Sequence, residues 1–161
     1  MSKNRRLHLF CVLFTSAIFF QTSQVSALVT AKAVENQVKE AMVAGVTAED
    51  VVKPVVASAI IEGMSAKDAA AVATKAAVET AFQLGQGIEA VIEGAVMGAA
   101  SGAIAAGQDV NTAIEGACHG AVTAVAAAKA DTRSAAYAAV GGSVNAAARH
   151  NQDSALAVSA G

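Results

Sequence analysis

The chain has 161 residues, 55% of them hydrophobic and 4% aromatic, with 11 Lys plus Arg against 13 Asp plus Glu and a formal charge of −2. Nucleic acids and anionic membrane surfaces recruit clustered Lys and Arg, so this balance excludes them as charge-driven partners. Beyond residue 27 the only aromatics are Phe82 and Tyr137, which excludes a stacking platform for sugars or bases.

The N-terminus reads as a secretory signal: Lys3, Arg5 and Arg6 precede the apolar run LHLFCVLFTSAIFF, then QTSQ and the small-residue site Val25-Ser26-Ala27. Cleavage is expected between Ala27 and Leu28, which makes residues 1–27 a signal peptide and places the mature chain in the periplasm or outside the cell. The apolar run is shorter than the roughly 20 residues that span a bilayer. Cys11 is preceded by Leu9-Phe10 and lacks the small residue that a lipoprotein cleavage site needs before its cysteine. Losing Lys3, Arg5 and Arg6 lowers the formal charge from −2 to −5.

Residues 28–161 form the expected helical-repeat domain. Its first element spans 29–43, where charged and apolar positions alternate at helical spacing before an Ala44-Gly45 stop. Thr47 followed by Asp50 has the form of a capping box and opens a unit of 18 residues, 47–64. Pro54 falls inside that unit and is expected to kink or delay its helix. Residues 28–64 are thus an irregular N-terminal pair, as the end units of repeat arrays commonly are.

From residue 65 the sequence repeats every 22 residues: Ser65, Gly87, Asp109 and Asp131 each open a unit of one helix and one turn, and Asp153 opens a stub, 153–161. Ser65, Asp109 and Asp131 are good N-caps, and Gly85, Gly107, Lys129 and Asn151 stand where the helices should stop. The spacing therefore predicts helices over 66–84, 88–106, 110–128 and 132–149, joined by turns of about three residues that make neighbours antiparallel. One column of the repeat holds Ala73, Ala95, Ala117 and Ala139, and another holds Ala76, Gly98, Gly120 and Gly142. Side chains this small require a close backbone approach, which makes Ala73, Ala95, Ala117, Ala139, Gly98, Gly120 and Gly142 the expected helix-packing face. Whether the approach is made within one chain or between chains is open at this stage. The expected fold is all-α: an Ala/Gly-rich helical repeat forming a small antiparallel bundle or a short solenoid.

A largely polar stripe at spacing four marks the expected solvent side: Lys67, Ala71, Lys75 and Glu79; Glu89, Glu93, Met97 and Ser101; Asn111, Glu115, His119 and Thr123; Arg133, Tyr137, Gly141 and Asn145. The stripe carries no catalytic constellation. Cys118 and His119 are adjacent on a helix, about 100 degrees apart, and there is no second mature cysteine to complete a thiolate metal site. Glu115 is expected to pair with His119 one turn on, and His150 to cap a helix C-terminus. Glu89 and Glu93 read as solvated carboxylates. No cofactor, metal or catalytic residue is expected, and the chain reads as a non-enzyme. Cys118 is expected either to be buried as a small apolar residue or to form a disulfide between two chains.

The function that follows is an exported structural or interaction scaffold, self-associating or bound to another exported protein. The alternative is a membrane-associated glycine-zipper protein that oligomerises in a bilayer, because Gly94, Gly98 and Gly102 recur at spacing four within an apolar segment, 88–107. A third reading is compositional: Ala-rich helical ice-binding proteins use Thr at eleven-residue spacing, which Thr112 and Thr123 obey here.

Overall fold

The structure is a computed structural model and describes residues 30–150. The signal reading of 1–27, the stop at Asn151 and the stub from Asp153 lie outside the described residues. Six helices and no strand occur among those described: α1 (Ala31–Val43), α2 (Ala48–Ile61), α3 (Ala66–Leu84), α4 (Ile88–Ala105), α5 (Val110–Ala127) and α6 (Thr132–Arg149).

Local chemistry sets the helix starts. The hydroxyls of Thr30, Thr47 and Ser65 and the carboxylates of Asp109 and Asp131 accept from backbone N–H groups in the first turn of the helix each precedes. Gly87 has no side chain to do this, and α4 starts uncapped. The Thr47 and Ser65 hydroxyls also donate to the Asp50 and Asp68 carboxylates three residues on.

The five stops are alike. Gly45, Gly63, Gly85, Gly107 and Lys129 all take positive φ, and after each the next N–H reaches back to the last helical turn: Val46 to Ala41, Met64 to Ala59, Gln86 to Ala81, Gln108 to Ala103 and Ala130 to Val125. Each turn is therefore one left-handed residue, one linking residue and one N-cap. Pro54 does not end α2, which runs through it to Ile61. Both Pro54 and Asp50, whose carbonyl loses its helical donor, are exposed.

The helices form a bundle of two layers, with α1, α3 and α5 in one and α2, α4 and α6 in the other. The closest packing lies within layers, between helices two apart in sequence. These partners run parallel, as the constant register described below requires. Consecutive helices, reversed by the short turns, cross from one layer to the other. The core between the layers is Ala and Val with Met42, Ile92 and Ile114; Phe82 packs on its edge and Tyr137 lies outside it.

Candidate functional site: a glycine-carbonyl clamp

Within each layer the later helix presents glycine to the backbone of the earlier one. A Cβ placed on Gly98 would stand 2.7 Å from the carbonyl oxygen of Glu49, on Gly102 2.5 Å from that of Lys53, and on Gly142 2.8 Å from that of Glu93. At Gly116 and Gly120 the same atom would penetrate the carbonyl oxygens of Lys67 and Ala71. Every one of these pairs is 49 residues apart: two repeat units plus five residues. The constant interval means that the partners are parallel and that three helix pairs, α2 with α4, α3 with α5 and α4 with α6, share one register. Such an approach replaces side-chain interdigitation by Cα–H contacts to carbonyl oxygens, and any side chain at these positions would force the helices apart.

Of the expected packing face, Ala73, Ala95, Ala117 and Ala139 are at most 1% exposed. Gly98, Gly120 and Gly142 supply the clamp contacts, and all of them are made within the chain. Ala76, at the head of the glycine column, is fully buried.

Polar side chains link helices of the same layer along the solvent edge, at the clamp pairs and beyond them: Arg149 reaches from α6 to α2, and Lys39 from α1 to α3. Lys67 pairs with Glu115, Arg149 with Glu49, and Lys39 with Glu79. Ser134 donates to Glu89, Asn145 donates to Glu93, and the Ser101 hydroxyl lies 3.0 Å from Nε2 of His150. Glu115 thus turns across to α3, away from the expected partner His119. His150 does sit at the C-cap of α6, as the helix-end reading required. The stripe is solvent-facing on α5 and α6, but Met97 and Ser101 are only 8% and 7% exposed because α6 lies over that part of α4.

Cys118 is 3% exposed, with Sγ 3.6 Å from the Ser143 hydroxyl on α6. Burial pushes its thiol above the ordinary cysteine value, and the Ser143 contact offsets this in part. A disulfide from Cys118 to another chain requires α6 to move away first. His119 is exposed one residue on, and no group of three His, Cys, Asp or Glu gathers at metal-binding distance among the described residues. Thr112, half of the ice-binding pattern, donates its hydroxyl to Asp109 at 2.6 Å within the cap of α5.

One feature of the clamp escapes the repeat pattern. Counting back 44 residues from the N-cap Gly87 reaches Val43, yet α2 is capped by Thr47, four residues later. The turn missing from the 18-residue unit is therefore the first turn of α2, and the register beyond it is kept. Gly94, which would meet residue 45 at the common interval, meets instead the Glu49 nitrogen at 3.4 Å. The vacated space is an open groove of about 500 Å³ between Gly45–Glu49 of the first turn and Gln86, Ala90, Val91 and Gly94. Val91 is half-buried there, whereas Ala113 and Ala135 in its column are 0% and 2% exposed. Glu49, the only ionisable group lining the groove, is held by Arg149.

Comparison with known proteins finds no match to a protein family, to a curated protein or to a solved structure.

Proposed function

We propose that the chain is an exported, non-enzymatic helical-repeat protein that acts as a scaffold and associates with itself. The observation that carries this reading is the shared register of the clamp. Five glycines at one interval give a rigid array whose outward residues hold fixed positions, which is what a repeat scaffold offers a partner. Export rests on the basic, apolar and small-residue layout of residues 1–27. The test is size-exclusion chromatography with light scattering on residues 28–161, without detergent. A defined soluble species larger than one chain fits the proposal, and a chain that stays in solution only with detergent refutes it.

The membrane reading keeps one observation in its favour. Helix α4, Ile88–Ala105, is the one helix among the described residues that is long and apolar enough to cross a bilayer, though 61% of that stretch is buried against the other helices. Its Gly98 and Gly102, which a bilayer oligomer would use, are engaged by α2 of the same chain. Carbonate extraction separates the two readings: a scaffold is released, and a spanning protein stays with the lipid.

A further inference from the structure

The two edges of the array differ in what they can accept. Each interior helix is covered by the helices one and two places further along the chain, so the residues that α6 leaves open are identified by their counterparts one and two repeats earlier. Ala70, Ile92 and Ile114 are fully buried, whereas Ala136, next in that column, is exposed. Val96 and Cys118 are at most 3% exposed and Val140 is half-buried; in the column of Val144, itself half-buried, Ala100 is fully buried and Val122 on α5, which lacks a helix two places further on, is 36% exposed, so the open surface runs from α6 onto α5. Tyr137, 73% exposed, occupies the column in which Ala71 and Glu93 receive the clamp glycines of α5 and α6. A Cβ on Gly141 would meet nothing within 4 Å. No charged residue occurs between Arg133 and Arg149, so this face is uncharged over four helical turns.

The opposite edge cannot cover it. For α1 or α2 of another copy to seat on α5 or α6 in the clamp register, small residues must stand in the glycine columns. On α2 those columns hold Asp50 and Pro54, both exposed, flanked by the exposed Lys53. Head-to-tail stacking would drive a proline ring and a carboxylate into helix backbone and strip the charge of water.

We propose that the open face of α6 is the surface through which the chain pairs with a second copy of itself, C-terminal edge to C-terminal edge about a two-fold axis. The inference rests on the self-association proposed above and adds its location and its limit. Like faces pair, both uncharged surfaces are buried with no ion desolvated, and Tyr137 supplies a large anchoring side chain. The α1–α2 edges, blocked by Asp50, Lys53 and Pro54, point outward, so assembly closes at a dimer and does not grow into a filament.

The experiment is light scattering on residues 28–161 as wild type and as Val144→Asp, Tyr137→Glu and Ile61→Asp, with helicity followed by circular dichroism. Ile61 is 75% exposed on α2, near the other edge, and serves as the control. The wild type and Ile61→Asp should be dimers, and the two α6 variants should be folded monomers with association weakened at least tenfold. Tyr137→Glu decides if Val144→Asp proves unstable. A folded dimer of Tyr137→Glu overturns the inference while leaving self-association standing on another surface. A monomeric wild type overturns both, and one that dimerises only when residues 152–161 are removed assigns the face to the chain's own tail and overturns the inference.

Discussion

The Cα of Gly120 in α5 faces the carbonyl oxygen of Ala71 in α3 so closely that no side chain fits between them, whereas Gly141 in α6 has nothing within 4 Å of where its Cβ would stand. The two glycines lie in neighbouring columns of the repeat and should respond oppositely to one methyl group. Gly120→Ala is expected to lower stability by about 1–3 kcal/mol, the usual cost of overpacking, with Gly120→Leu worse. Gly141→Ala is expected to raise it by about 0.5–1 kcal/mol, the helix-propensity gain of alanine over glycine. Urea unfolding of the two variants beside the wild type checks the pair, and a stabilised Gly120→Ala would refute the clamp.

Thr74 is fully buried on α3, and its hydroxyl has no hydrogen-bond partner. Val96 and Val140 occupy the same column, so the repeat itself indicates the better residue. Thr74→Val is expected to gain about 1 kcal/mol by removing an unsatisfied polar group, read as a higher melting temperature.

Four of the five turns place glycine at the left-handed position, and the fifth places Lys129 there at φ 56°. Lys129→Gly relieves a strained backbone on an exposed residue and is expected to stabilise by about 1 kcal/mol. The same substitution at the neighbouring Ala128, whose φ is −76°, should be neutral or destabilising.

Asp109 caps α5, and its carboxyl is held below the ordinary value of 3.8 by the Thr112 hydroxyl first and then by the Thr112 backbone N–H; burial opposes this, and the Asn111 backbone N–H adds the smallest contribution. A depressed folded-state pKa means that the stabilisation is complete above the unfolded value and is lost as pH falls through the folded one. Asp109→Ala should therefore cost about 1 kcal/mol at neutral pH, as loss of a helix cap does, and progressively less below pH 3.8. Melting curves of variant and wild type at neutral and acid pH measure the difference, and a constant difference would contradict the assignment.

Much of the fold was legible in the sequence because helix ends are local chemistry. Thr47, Ser65, Asp109 and Asp131 start helices where expected, and Gly85 and Gly107 end them where the repeat places a stop, within a residue or two of the predicted limits. The long-range packing was not legible. A period of 22 shows which residues are equivalent but not which ones touch, and the closest contacts skip a unit and join parallel helices. The same reason hid the burial of Met97 and Ser101, polar by position in the stripe but covered by α6, and it sent Glu115 to Lys67 on another helix. The groove beside Gly94 follows from which turn of the short unit is missing, and only the position of Thr47 relative to the repeat phase signalled it.

Cys118 tests how tightly α5 and α6 close. Its thiol is buried and pushed upward by desolvation. At pH 8 it should react with a thiol reagent at least tenfold more slowly in the native chain than in denaturant. Equal rates would mean that the Ser143 contact opens freely and that a disulfide between chains is within reach.

The most direct test of the clamp is a cross-link between α3 and α5 in the register of the Lys67–Glu115 pair. Lys67→Cys and Glu115→Cys are introduced together with Cys118→Val, and the dilute, folded chain is treated with a short bismaleimide and run on a denaturing gel. Parallel helices two units apart in one chain should give an internally bridged monomer of altered mobility. Bridged dimers alone, or no bridge in a chain that remains helical, would contradict the account.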